Sequence, residues 1–261
     1  MSVYLSRLII DQRSRDVRHD LADCQAMHHR MMSAFPATTS NRPAREQFGV
    51  LYRAETHPRT GVTQILVQSG RESDWTSLPD RYLVDTRGEA DNPACRAVDA
   101  AWDAITPGMR LTFRLRANPT KRIDKTINPN DKLADKRVEL QTEAEWLAWL
   151  ARKGEPAGFE LLTVEANADL GAGQQRRERI EDIFGFSPEG EPAARIPDTR
   201  SNPVPKVHGG RRGTGQLTFG AVLFEGRLRV TDADLFRAAL ASGIGPAKAY
   251  GFGLLSIAPA R

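Results

Sequence analysis

The chain has 261 residues, 40% of them hydrophobic and 27% charged, with a formal net charge of +4. That length fits one large domain or two small ones, and the composition excludes general disorder. No run approaches the roughly eighteen apolar residues that a membrane span needs, and Cys24 and Cys95 lie outside any CxxC pair or zinc-type spacing, so both read as reduced thiols.

Val3 to Asp11 alternates and is rich in β-formers, which predicts a strand. The same N-terminal stretch lacks the apolar core of a secretory signal, so a cytoplasmic protein is expected. Leu21, Cys24, Met27, Met31 and Phe35 recur at helical spacing and predict one helix from Arg18 to Phe35, closed by Pro36. Phe48 to Glu55 and Gln64 to Ser69 read as strands. Pro93 to Ile105 reads as a short helix before the breaker pair Pro107-Gly108. This β-α-β-β-α order is most of a ferredoxin-like unit.

The pattern then restarts. Met109 to Ala117 alternates as a strand, and Thr142 to Lys153 is a helix opened by a capping box of Thr142 and Glu145. Phe159 to Ala166 is a strand, and Ala168 to Pro205 is polar loop or insertion. Gln216 to Val230 reads as a β-hairpin turning near Glu225-Gly226. A helix capped by Thr231 or Asp232 and a strand from Gly253 to Ala258 complete the chain. The expected fold is therefore α+β: two tandem ferredoxin-like (RRM-like) domains, residues 1–106 and 107–261, the second with an inserted hairpin or loop.

Charge is unevenly spread. Between Arg110 and Arg137 nine Lys/Arg face three acids, a surplus of six that exceeds the +4 of the whole chain. Such a concentration is the footprint of a polyanion partner, or a basic surface loop with none.

Gly243, Gly245, Gly251 and Gly253 surround Lys248 between the last helix and the last strand. This is no Walker loop, because GxxxxGK[ST] is absent. It is no dinucleotide fingerprint either, because that motif follows a strand and opens a helix. Two readings stay open: a phosphate cradle built from backbone N–H groups, and a tight helix-to-strand connection.

GIGPAKAYGFGLLSIAP resembles the C-terminal signature of the CasE family, the CRISPR RNA-processing endoribonucleases of type I-E systems. Four further blocks occur in family order: YLSRLIID, DLADCQAMHHRMMSAF, RLRANPTK and VLFEGRLRV. The resemblance implies tandem ferredoxin-like domains, in agreement with the element order. It also implies a repeat-RNA hairpin as substrate, retention of the product, and assembly into the multi-subunit Cascade surveillance complex.

RNA can be cleaved without metal or cofactor when its own 2′-hydroxyl attacks the adjacent phosphate. Histidine suits the proton steps and Lys or Arg the charge. Of His19, His28, His29, His57 and His208, the adjacent pair His28 and His29 lies on the first helix. A helical wheel places His28 at the edge of the apolar face and His29 toward the polar side. A boundary histidine serves either packing or catalysis. The resemblance selects His28, because the family carries its catalytic histidine in an x-Tyr-x-(Leu/Met)-His pattern that Met27-His28 completes. Gln25 occupies the tyrosine position and departs from that pattern; glutamine donates a hydrogen bond but exchanges no proton near neutral pH. Arg30 faces an unfavourable direction on the wheel. No Asp/Glu/His cluster has metal-ligand spacing.

Backbone contacts to an A-form stem call for cations. Arg116, Asn118, Lys121, Arg122 and Lys125 follow the central strand, Lys136 and Arg137 end the next loop, and Lys248 sits in the glycine run. Arg200, Lys206, His208, Arg211 and Arg212 precede the Gln216 strand and, by resemblance, match a basic hairpin set against the RNA stem. Trp146 and Trp149, at i,i+3 on a helix, read as core. Two alternatives stand beside the endoribonuclease: a non-cleaving RNA-binding subunit of the same complex, which Gln25 keeps open, and a small-molecule-binding ferredoxin-like protein, against which the basic surplus argues.

Overall fold

The computed structural model describes residues 2–38, 42–57, 59–123, 136–168, 185–186, 192–193, 206–212 and 215–260. Two four-stranded antiparallel sheets organise it. The first contains β1 (Tyr4–Ile10), β2 (Leu51–Thr56), β3 (Thr63–Ser69) and β4 (Ala94–Ala97) in the order β2-β3-β1-β4. The second contains β5 (Arg110–Ala117), β8 (Phe159–Ala168), β13 (Val222–Val230) and β14 (Leu255–Pro259) in the order β14-β5-β13-β8. Counted within each sheet, both orders are the ferredoxin-like 4-1-3-2 and its reverse. Short pairs lie between: β6 (Thr120–Arg122) with β7 (Arg137–Glu139), β9 (Gly185–Phe186) with β10 (Pro192–Ala193), and β11 (Lys206–Arg212) with β12 (Gly215–Gly220).

Alternation on each strand feeds one core per sheet. Leu8, Ile10, Ile65 and Val67 pack with Val17, Met27, Met31 and Trp75 against the first sheet. Leu111, Phe113, Leu115, Phe224 and Leu228 pack with Trp146, Trp149, Leu150, Phe236 and Leu240 against the second. Both tryptophans are core, as their spacing predicts. The helix α5 (Glu143–Gly154) opens on the expected capping box, with Glu145 N–H donating to Thr142 Oγ1 and the Glu145 carboxylate accepting from Thr142 N–H. The helix α6 (Ala233–Ser242) is capped by Asp232 rather than Thr231.

Three elements differ from the sequence expectation. The expected helix Arg18 to Phe35 is two helices, α1 (Arg15–Ala22) and α2 (Cys24–Met32), and the single-turn α3 (Ala44–Gln47) follows before β2. Asp23 separates them in extended conformation because its carboxylate accepts from the backbone of Gln25 and Ala26 and so caps α2. Leu21 consequently belongs to α1 and is exposed.

The expected helix at Pro93 to Ile105 is strand β4 followed by the short α4 (Asp99–Asp103). Ala94–Ala97 complete the open edge of β1, and the Asn92 carboxamide extends that ladder by bonding both the N–H and the carbonyl of Ile9 at 2.8 Å. Between β3 and β4 only a single-turn helix, Trp75–Ser77, holds the place of the second ferredoxin-like helix among the described residues.

The hairpin expected at Gln216 to Val230 does not turn at Glu225-Gly226. β13 runs straight through and is a central strand between β5 and β8. Gly226 is there because β8 comes so close: a Cβ would stand 2.0 Å from the Thr163 carbonyl oxygen, beside a register shift at Arg227/Leu228. β12 pairs with β11 instead. Most of the stretch read as loop, Ala168 to Pro205, lies outside the described residues, and so do Lys125 and Arg200.

The two sheets meet through buried polar contacts. Arg53, 2% exposed, donates from Nη1 to the carbonyls of Leu254 (3.1 Å) and Arg114 (3.2 Å). Glu55 bonds Arg114 at 2.7 Å, and Arg114 reaches on to Glu225. Gln68 donates to the Leu240 carbonyl at 2.8 Å. This seam fixes how β2 faces the loop between α6 and β14.

Candidate active site

Cys24, Met27 and Met31 bury one face of α2 and leave His28 half-buried at its edge. Arg30 fixes the helix from the other side. Its Nε bonds the buried Asp20 at 2.7 Å, Tyr82 donates to the same carboxylate at 3.0 Å, and the guanidinium lies 5.3 Å from the Tyr82 ring centre. Arg30 is thus committed to structure, as its place on the wheel suggests.

The glycine run comes back over His28. Gly243, Gly245, Gly251 and Gly253 all have positive φ. Gly243 ends α6 where a Cβ would lie 2.9 Å from both the Leu51 side chain and the Gly253 carbonyl. A Cβ on Gly245 would meet the Trp149 ring at 2.9 Å, and one on Gly251 the Tyr52 ring at 3.2 Å. Sterics therefore account for the glycines as a tight connection folded between β2 and α5. The N–H groups of Gly243 and Gly253 are also spent, on the carbonyls of Ala239 and Arg116. A cradle made of all four glycine amides does not form.

That connection delivers a single-turn helix, Lys248–Tyr250, onto α2. Tyr52 donates to the Ala249 carbonyl at 3.1 Å. The Tyr250 ring meets the His28 ring edge-on, with centroids 6.1 Å apart, and stacks on Phe219 of β12 at 4.9 Å. β11 also runs alongside α2. His28 thus sits where α2, the β11–β12 hairpin and the glycine connection converge. In the sequence these three are separate features; the sheet seam brings them together.

Burial lowers the His28 pKa from its ordinary 6.5, and the neighbouring His29 and Arg45 push it the same way against the Ala249 carbonyl. The ring is therefore neutral at pH 7. Its Nδ1 is buried with no well-aligned hydrogen bond, although the Ala249 carbonyl lies within reach of the ring, and Oε1 of Gln25, one turn earlier on the same face, is buried without a partner. Buried polar atoms without an aligned partner on one face of α2 mark a place built to meet something else. His29 is exposed.

Lys248 is half-buried, and its pKa is lowered by that burial and by repulsion from Arg45 and Lys153, with Glu46 opposing. A phosphate would relieve this crowding. The remaining basic residues divide. Lys121 pairs with Glu145 at 3.2 Å, and Arg122, Lys136 and Arg137 are exposed. Arg116 is half-buried, 5.0 Å from the Phe252 ring centre. Asn118 does not fit with them: it is 4% exposed, and its amide donates to the Gly220 carbonyl at 2.8 Å, so it anchors the end of β12. Lys206, His208, Arg211 and Arg212 lie on β11, with Arg211 opposite Gln216 and Arg212 opposite Gly215. Among the described residues no group of three His, Cys, Asp or Glu gathers as metal ligands.

The model of the family described as CRISPR associated protein matches residues 3–259. The CRISPR-associated endoribonuclease Cse3 of Thermus thermophilus is 34% identical over 98% of this chain and 100% of its own length. The Cascade subunit CasE of Escherichia coli is 34% identical over 58% of this chain and 59% of its own. Among solved structures, Thermus thermophilus Cse3 bound to an RNA representing a pre-cleavage complex superposes with a TM-score of 0.69, at 31% identity, covering 99% of this chain and 100% of that one. Escherichia coli Cas6e gives 0.59 at 25% identity over 98% and 100%. With both the family model and a relative matched from end to end, the chain belongs to the CRISPR-associated protein family, in its type I-E CasE branch.

Proposed function

We propose that this chain is the endoribonuclease that cuts CRISPR repeat RNA into guide RNA, and that His28 does so by activating the 2′-hydroxyl next to the scissile phosphate. The observation that carries the reading is the neutral, half-buried imidazole of His28, with a buried nitrogen that has no well-aligned hydrogen bond, at the meeting point of α2, the basic hairpin and the glycine connection. A neutral imidazole accepts the 2′ proton. The 2′-oxygen then closes on phosphorus and the bond to the 5′-oxygen breaks, leaving a 2′,3′-cyclic phosphate and a 5′-hydroxyl. Lys248 and Arg116 supply positive charge beside that phosphate, and the substrate's own nucleophile makes the reaction metal-independent.

Residues 1–106 carry the base in this reading, and residues 107–261 carry the RNA grip. The relatives named for an RNA complex and for Cascade support repeat RNA and other Cascade subunits as partners. Retention of the guide follows as a further proposal, and so does a cytoplasmic location. Among the described residues no helix is long and apolar enough to cross a membrane.

The decisive experiment is single-turnover cleavage of the cognate repeat RNA by His28→Ala, in EDTA and in magnesium. Loss of about 10²-fold or more in rate with unchanged RNA affinity is expected. Wild-type cleavage by that variant removes His28 from the mechanism, and abolition by EDTA removes metal independence. Gln25 favours a second reading, an RNA-binding subunit that does not cut; absence of cleavage by the wild type with tight RNA binding would select it.

A further inference from the structure

Cleavage by 2′-hydroxyl attack needs two proton transfers, one from the nucleophile and one to the departing 5′-oxygen. His28 is one group. Gln25, one turn before it, cannot exchange a proton near neutral pH. His29 is the next residue on the same helix, turned roughly 100° away and exposed. Across from His28, on a different element, stands Tyr250, its ring edge-on at 6.1 Å.

Tyr250 is held there by more than its own packing. Phe219 stacks on it at 4.9 Å with ring planes 25° apart, and Phe252 supports Phe219 edge-on at 6.1 Å. The preceding carbonyl, that of Ala249, is tied to Tyr52 at 3.1 Å. The Tyr250 N–H closes the turn on the Ala247 carbonyl at 2.9 Å, and Ala247 takes left-handed φ to allow it. A hydroxyl on a ring gripped by aromatic neighbours keeps its direction, which is what proton delivery in a transition state requires. The ring also belongs to the same junction as the hairpin, through Phe219 of β12, so RNA laid on the hairpin would come up to both side chains at their shared edge.

We propose that Tyr250 supplies the second proton. This rests on the cleavage reading above. His28 takes the 2′ proton as the 2′-oxygen bonds to phosphorus. The bond to the 5′-oxygen breaks, and the Tyr250 Oη proton goes to that oxygen. The phenolate then recovers its proton from the His28 imidazolium, directly or through water, so that both groups end as they began. No oxidant, metal or further reactant enters.

The test is Tyr250→Phe, which keeps the ring, its stack on Phe219 and its edge contact with His28 while deleting the hydroxyl. Wild type, Tyr250→Phe and His28→Ala are compared in single turnover on two repeat RNAs. One has the natural 5′-oxygen at the scissile bond; the other has sulfur in that bridging position, which leaves as a thiolate and needs no proton. Binding is read separately on RNA with a 2′-deoxy residue at the cut site. Tyr250→Phe should lose about 10²-fold on the oxygen substrate, return to the wild-type rate on the sulfur substrate, and bind unchanged. His28→Ala should stay slow on both. Wild-type cleavage of the oxygen substrate by Tyr250→Phe overturns the proposal, as does an equal loss on both substrates, which would make the hydroxyl structural. Failure of the wild type to cut either RNA would instead overturn the cleavage reading itself.

Discussion

Tyr52 donates its phenolic hydrogen to the carbonyl of Ala249 across 3.1 Å of space and 197 residues of sequence. This bond carries the first sheet's hold on the glycine connection to within one residue of Tyr250. Burial raises the phenol's pKa well above its ordinary value, so the hydroxyl remains a donor throughout the accessible pH range. Tyr52→Phe keeps the packing and leaves a carbonyl unpaired, at a cost of about 1–3 kcal/mol. A lower melting temperature is expected together with slower single-turnover cleavage. A variant with a lower melting temperature and an unchanged rate would show that the connection holds its place over His28 without this bond.

With His28 as the proposed base, the pH–rate profile should report its titration. Its pKa lies below the ordinary 6.5, with burial as the leading cause, so the base form persists into mild acid and the acidic limb should bend below pH 6.5. A midpoint above that value would contradict the neutral imidazole. The stability sign follows as well. The unfolded chain takes up the proton near pH 6.5 while the folded site resists it. Folding stability therefore falls as pH drops through that window, and replacing His28 with glutamine should flatten the fall in equilibrium unfolding.

Gly226→Ala tests the central strand. The added Cβ meets the Thr163 carbonyl oxygen at 2.0 Å, backbone against backbone, so β8 and β13 must separate. Overpacking of this kind costs about 1–3 kcal/mol, and loss of the local ladder adds to it. A drop in melting temperature of several degrees is expected. An unchanged melting temperature would mean that the strands have room to part.

The ferredoxin-like class was legible, because period-two alternation and helix caps are local signals. Sheet closure is not local. Ala94–Ala97 look helical until the open edge of β1 is known to need a partner. Gly226 looks like a turn until β8 is seen against it. The same holds at the site. His28 and the glycine run each stand out in the sequence, whereas their contact depends on Arg53, Tyr52 and Gln68 reaching from one sheet to the other. Nothing in the local pattern of those three residues announces that role. Asn118 shows the same thing: a polar residue in a basic stretch gives no sign that its amide donates to the Gly220 carbonyl.

The Arg53 seam should be acid-sensitive. Burial alone would raise the Glu55 carboxyl, but Arg53 and Arg114 more than offset it and hold its pKa below the ordinary 4.5. A depressed carboxylate contributes stability that is present above the unfolded value and is lost as pH falls through the folded one. Arg53→Met removes one partner and leaves the carbonyls of Leu254 and Arg114 without their donor, which should cost about 3–5 kcal/mol at pH 7. The cost should shrink only as pH falls from 4.5 down through the lowered folded value, where Glu55 protonates in the wild type as well. Denaturant titrations at pH 7 and at a series of pH values stepped down well below 4.5 measure it, and a cost that stays equal throughout would assign it to the two carbonyls rather than to the ion pair.

The hairpin makes the sharpest prediction about RNA. Arg211 and Arg212 lie at the end of β11, opposite Gln216 and Gly215, on the strand that runs beside α2. If both meet phosphates, replacing them with alanine removes two counterion-release events. The slope of log affinity against log salt should then fall by about 1.4–1.8. Lys121 is the internal comparison, because it is exposed and already paired with Glu145 at 3.2 Å. An exposed ion pair is worth little, and breaking it to reach a phosphate returns part of the gain. Lys121→Ala should therefore change the slope by much less than half as much as the double substitution. Equal effects from both would mean that the whole basic surface attracts RNA diffusely and that the hairpin has no special place against the stem.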